Sequence, residues 1–168
     1  MVALRIQQLL EEGIIKLADE EAVSREELNK KTQEVISIAN NSFFSEGKPI
    51  HLIEKGESEV LALSLILSEK NIENASAIDE RTARMLCENP ESLRKLMESK
   101  LHTKLTANQK NLKIFSGIKI IRSTELMYIA NKNKLLDGDK RTIEAVLYAL
   151  KFGGCSITEK EVEMMKRM

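Results

Sequence analysis

The chain has no tryptophan, and its 168 residues include only four phenylalanines and two tyrosines. The core must therefore be built mostly from Leu, Ile, Val, Ala and Met. Cysteine is almost as scarce. Cys87 and Cys155 stand far apart, and neither belongs to a CxxC pair. Reduced core thiols explain such cysteines better than a disulfide or a zinc site. His51 and His102 are isolated as well, so a histidine metal centre or a Ser-His-Asp triad lacks material. No GxGxxG or Walker-type loop occurs, which removes the usual cradle for nucleotide phosphates. No apolar run approaches the roughly 18 to 20 residues of a membrane span. The opening MVALRIQQLLEEGIIKL has helical apolar spacing with acids inside it, unlike a secretory signal. A cytoplasmic setting is expected.

What is present suits one folded domain over residues 1–168. Hydrophobic residues make up 42% and charged residues 31%, too apolar for disorder. The formal net charge is zero, but it hides an asymmetry. Residues 1–91 hold eighteen acids and ten bases, whereas residues 92–168 hold eight acids and sixteen bases. Between Arg94 and Arg122 stand eight bases and a single acid, Glu98. An anion-binding surface beside an acidic site would look like this, and so would a set of solvated lysine faces.

Hydrophobic periodicity predicts an amphipathic helix over 3–17, with Leu4, Leu9, Leu10, Ile14 and Leu17 on one side. Ser24 followed by Glu27 is a capping box, and a long helix is expected from there to about Asn41. PIHLI (49–53) reads as a short strand, followed by a helix over 57–68. NASAID (74–79) is short and apolar, as a buried strand would be. ERTARMLCE reads as a helix stopped at Asn89-Pro90, and ESLRKLMESKLHTKL as another. LKIFSGIKII (112–121) is rich in β-branched residues and should hold a strand near 118–121. STELMYIANKNKLL, DKRTIEAVLYALKFGG and the Thr158-capped tail read as helices. Strands alternating with helices point to an α/β class with a parallel sheet.

In such a sheet the carboxyl ends of the strands face a common crevice. Asp79 ends a predicted strand and belongs there. Glu57 and Glu59 lie in a first helical turn, two residues apart, so at most one enters the crevice. Glu59 is the better placed, because Ala62, Leu63 and Ile66 follow it at i+3, i+4 and i+7. Converging carboxylates need a cation, and hard ions such as Mg²⁺ or Mn²⁺ take oxygen ligands. The alternative is local: first-turn acids complement the helix dipole, and Asp79 would serve as a cap.

The succession GESEVLALSLILSEK, AIDERTARML, GIKIIRSTELMYIANKNKLL, AVLYALKFGGCSIT resembles the carboxyl-terminal two thirds of PIN-domain proteins, over about residues 47–160. The resemblance implies a three-layer α/β/α fold, helix-rich around a short parallel sheet. It also implies a carboxylate cluster holding Mg²⁺ or Mn²⁺ and metal-dependent cleavage of RNA. Many relatives are the toxin halves of toxin–antitoxin pairs. Carried over by position, Glu59 and Asp79 become the metal ligands and Glu80 the adjacent catalytic acid. Arg81 and Arg84 match the basic residues of that turn, and Lys119 and Arg122 stand where they would steer the RNA backbone.

Three departures accompany the resemblance. The first strand of the family, with its Asp, has no counterpart, and residues 1–46 form a divergent helical beginning. That leaves either a chain lacking its natural start or a fold without efficient catalysis. The family's second acid falls near Lys30, with Glu26, Glu27 and Glu34 as substitutes. A basic helical segment, 88–112, is inserted. Its stripe of Leu93, Leu96, Met97, Leu101 and Leu105 suits packing on the domain, a dimer contact or a nucleic-acid grip. Expected functions are therefore a metal-dependent endoribonuclease, or a PIN-fold module binding RNA or a protein partner such as an antitoxin without turnover. A small helical structural protein is the remaining option.

Overall fold

The computed structural model describes residues 2–17, 22–135 and 140–167. It is a helix-rich α/β arrangement with a three-stranded antiparallel sheet and a two-stranded parallel one. Helix α1 spans Val2–Glu11. It is shorter than the periodicity of 3–17 predicts, because the chain turns at Gly13 (φ +69°) and the N–H groups of Ile14 and Ile15 both return to the Leu9 carbonyl. Leu4, Ile14 and Leu17 consequently stand in solvent.

Helix α2, Arg25–Asn40, begins as its capping signal predicts, with Ser24 Oγ accepting the Glu27 N–H at 3.2 Å. It buries Thr32, Val35 and Ala39 and lies along α3, Lys55–Glu69. Two ion pairs, Lys31–Glu69 and Lys70–Glu27, join the ends of these helices.

Strands β1 (Phe43–Ser45) and β2 (Lys48–Pro49) form a hairpin across Glu46 and Gly47. Both turn residues have positive φ, 50° and 78°, the twist that suits a two-residue hairpin turn. The strand predicted over 49–53 stops at Pro49. Beyond it, Asn40 replaces a strand partner: its Oδ1 accepts the N–H groups of Leu52 (2.6 Å) and Ile53 (3.2 Å), and its Nδ2 donates to the Ile53 carbonyl (3.3 Å). Buried amides must find partners, and a side chain serves as well as a sheet.

The strand predicted over 74–79 is reduced to β3, Ser76–Ala77. After it come α4 (Arg81–Glu88) and α5 (Pro90–Leu101). Helix α5 is capped by Asn89, whose Oδ1 accepts the Ser92 N–H, and has Pro90 in its first turn. Strand β4 (Thr106–Ala107) adds to β1 antiparallel. Residues 112–115, the first part of the β-branched-rich stretch 112–121, belong to α6 (Gln109–Phe115). Asn108 Oδ1 caps it by accepting from Lys110 and Asn111 N–H. The strand expected near 118–121 is β5, Ile120–Ile121, parallel to β3 in the register Ser76↔Ile120.

The chain closes with α7 (Ser123–Lys132), α8 (Lys140–Phe152) and α9 (Glu159–Arg167). Leu136 and Asp139, expected in these helices, lie outside the described residues. Two apolar clusters form. Val35, Phe43, Leu61, Leu86, Leu93 and Phe115 are central to the larger. Met127, Leu147, Ile157 and Val162 make the smaller, among α7, α8 and α9. The inserted segment belongs to the larger cluster, since Leu93 and Leu105 are buried in it and Met97 packs on it. Among the described residues no helix is long and apolar enough to cross a membrane.

Candidate functional site

Pairing β3 with β5 sets the carboxyl end of one beside the carboxyl end of the other. Asp79, two residues past β3, therefore meets the start of α7. Ser123 donates to it twice, from its N–H to Oδ1 at 2.8 Å and from its hydroxyl to Oδ2 at 2.6 Å. Burial opposes ionisation of Asp79. The two Ser123 donors, the Cys155 thiol and the Arg122 charge together outweigh it and hold the carboxyl below its ordinary pKa. Asp79 is thus an ionised, half-buried, oriented carboxylate at a helix N-terminus, where negative charge is favoured.

Arg122, between β5 and α7, is buried. Its Nε and Nη2 donate to Glu125 Oε1 at 3.0 and 2.7 Å. Its Nη1 donates to Glu161 Oε1 at 2.9 Å and to the Ser156 carbonyl at 3.3 Å. One guanidinium thereby joins the β5–α7 corner to α9. Glu161 also accepts from the N–H (2.8 Å) and hydroxyl (2.7 Å) of Thr158. Burial disfavours the Glu161 anion, yet the Thr158 and Arg122 bonds bring its pKa down to about 2. Glu125 is held low in the same way, against its burial, by Arg122. The Arg122 guanidinium, against its own burial, is raised by these acids.

Both thiols are buried and free. Burial, helped by the Glu88 charge, pushes Cys87 up to about 12. Burial and Asp79 raise Cys155, which lies 3.8 Å from Thr124 Oγ1. Neither is a nucleophile at neutral pH.

The other expected site residues have separate partners. Glu59 pairs with Lys55 at 3.4 Å on its own helix. Glu80 caps α4, its Oε2 accepting the Ala83 N–H at 2.6 Å. Arg84 reaches Glu88 at 3.3 Å, and its buried Nε has no hydrogen-bond partner among the described residues. Arg81 is exposed. Lys119, exposed, pairs with Glu73 at 2.8 Å. Lys30, Glu26 and Glu34, where the second acid was sought, lie on the exposed side of α2.

The resemblance calls for Mg²⁺ or Mn²⁺, and Asp79 meets the requirements of one ligand. These ions take an oxygen-rich shell. Among the described residues no three His, Cys, Asp or Glu side chains gather into a group that could hold an ion. The described residues do not complete the implied site.

The basic surface is different. Of the eight bases from Arg94 to Arg122, three are paired: Arg94 with Glu91 and Glu98, Lys119 with Glu73, and Arg122 with Glu125 and Glu161. The other five, Lys95, Lys100, Lys104, Lys110 and Lys113, are exposed. Among the described residues none of the five has an acid within 4.0 Å. They sit on α5, α6 and the turn between them, and both helices pack through α4 and the larger core.

Sequence reasoning pointed to Asp79 and missed its partners. Ser123 had a signal, a hydroxyl residue opening a helix after a strand. Glu161 was visible only as half of a capping box. Its bond to Arg122 spans 39 positions and has no local signature. Comparison with family models, with curated proteins and with solved structures gives no match for the chain.

Proposed function

We propose that the chain is a PIN-like, three-layer RNA-binding module without efficient turnover, which holds the phosphate backbone through the exposed lysines of α5, α6 and the turn between them. The observation that carries this reading is the contrast in partners. Asp79 is bound twice by Ser123, Glu59 is paired with Lys55 and Glu80 caps a helix, whereas five lysines project into solvent with no acid paired to them among the described residues. Exposed ammonium groups neutralise phosphates and release condensed counterions, without reading base sequence. Fluorescence anisotropy with single-stranded RNA over a salt series tests the reading. Log K should fall linearly with log salt at about −0.7 per phosphate contacted. RNA that fails to bind at low salt would overturn it.

A second reading, a Mg²⁺- or Mn²⁺-dependent endoribonuclease, is favoured by Asp79 itself. Its low pKa and its two fixed bonds from Ser123 suit a metal ligand held in orientation by outer-shell donors. Incubation of RNA with Mn²⁺ and either wild type or Asp79→Asn separates the two readings. Cleavage by wild type that Asp79→Asn abolishes would establish the nuclease, and cleavage unchanged in the variant would remove Asp79 from any such role.

A further inference from the structure

Helix α5 ends at Leu101, and His102 takes a left-handed conformation (φ +52°) that turns the chain back on itself. The turn is held by Glu98. Its carbonyl accepts the N–H groups of His102 and Thr103, and its Oε1 accepts the Leu105 N–H at 2.9 Å. Leu93 and Leu105, buried in the larger core, anchor the two sides. The result is an open-sided hollow of about 400 Å³ lined by Lys95, Glu98, Ser99, His102, Thr103 and Lys104.

We infer that this hollow is a phosphate-contact site at which the RNA backbone is held, with Lys95 and Lys104 as the cations and Ser99 and Thr103 as hydroxyl donors. The inference rests on the RNA-binding reading and gives it a location. The lining is rich in donors, and a phosphodiester offers only acceptors. Glu98 does not cancel the lysines. It is already engaged by Arg94 Nη1 at 2.7 Å and by the Leu105 N–H, and Arg94 also pairs with Glu91. Lys95, Arg94 and Lys104 against Glu91 and Glu98 therefore leave one surplus positive charge, carried by lysines with no acid within 4.0 Å among the described residues. The carboxyl end of a helix carries partial negative charge, so attraction at this place must come from the two ammonium groups. Lysine binds phosphate as a point charge without needing a fixed fork geometry. An open-sided hollow also suits a passing polymer better than an enclosed small ligand.

The test compares full-length wild type with Lys95→Gln/Lys104→Gln and with a charge-matched control, Lys30→Gln/Lys48→Gln, on α2 and β2. All four lysines are exposed, so circular dichroism should be unchanged. The probe is a labelled single-stranded RNA of mixed sequence, read by anisotropy across a salt series. Loss of two contacts at about 0.7 each should flatten the log–log slope by about 1.4, or about 25-fold weaker binding at 0.1 M salt relative to a 1 M reference. The control should keep the wild-type slope. If wild type binds RNA and the two doubles have equal slopes, the hollow is not the site, though the function stands. If wild type does not bind, the function itself falls and this site with it.

Discussion

Replacing Arg122 with Gln removes a cation that joins the β5–α7 corner to α9. The side chain makes two bonds to Glu125, at 3.0 and 2.7 Å, one to Glu161 at 2.9 Å and one to the Ser156 carbonyl at 3.3 Å. Its side chain is only 9% exposed, whereas the side chains of both glutamates are 37% exposed. Removing one member of a fully buried ion pair costs about 3–5 kcal/mol, because the remaining charge is left uncompensated. Water reaches both carboxylates here, so the expected loss is about 2–3 kcal/mol. The loss should be concentrated in α7, α8 and α9, whose cluster of Met127, Leu147, Ile157 and Val162 is separate from the larger core. The chain supplies its own reporter. It has no tryptophan, and both its tyrosines, Tyr128 and Tyr148, lie on α7 and α8. Urea unfolding followed by tyrosine fluorescence should show a lower midpoint in Arg122→Gln, with a smaller shift by far-UV circular dichroism, which sees every helix. An unfolding free energy by tyrosine fluorescence unchanged to within about 0.5 kcal/mol would refute the assignment of Arg122 as the fastening of this unit.

Acid should act on the same place. Asp79, Glu125 and Glu161 all have pKa values lowered by folding, Glu161 to about 2. The folded state therefore binds fewer protons than the unfolded chain between about pH 2 and 4.5. The stabilisation is complete above that window and is lost as pH falls through it. For Glu161 the full shift corresponds to about 3 kcal/mol, which solvent screening of a partly exposed group reduces to about 1–2 kcal/mol. Tyrosine-monitored unfolding from pH 6 down to about 2 should show this decline, and a flat profile would contradict it. Asn40→Ala should destabilise the larger core by about 2–4 kcal/mol, because the N–H groups of Leu52 and Ile53 lose their acceptor inside it. Thermal unfolding measures this, and a loss below about 1 kcal/mol would mean that water replaces the side chain. Cys87 and Cys155 should resist a thiol reagent in the folded chain and react once urea unfolds it. Rapid labelling under native conditions would contradict their burial.

Much of the helical framework was legible because its signals are local. Ser24 with Glu27 and Thr158 with Glu161 mark helix starts within four residues, and the structure uses each as a cap. Asn89-Pro90, read as the stop of one helix, both ends α4 and opens α5. The strands were less legible. Two residues of β3 and two of β5 are enough for a parallel pair, while apolar neighbours such as Leu52 and Ile53 are buried without joining any ladder. Residues 109–115 carry no predicted helix, and the cap that starts α6 there is Asn108.

The candidate site divides along the same line. Composition and order alone determined that the core is mostly aliphatic, that Asp79 lies just past a short strand, and that positive charge gathers between Arg94 and Arg122. Only the folded chain decided which charges find partners. Ser123 lies 44 positions from Asp79, and Glu161 lies 39 from Arg122. Such pairs form because a parallel strand pairing and a helix packing angle carry distant segments together, and neither has a trace in local spacing. The same packing leaves Lys95 and Lys104 with no acid within 4.0 Å among the described residues, so whether a charge is structural or available is a property of the tertiary fold.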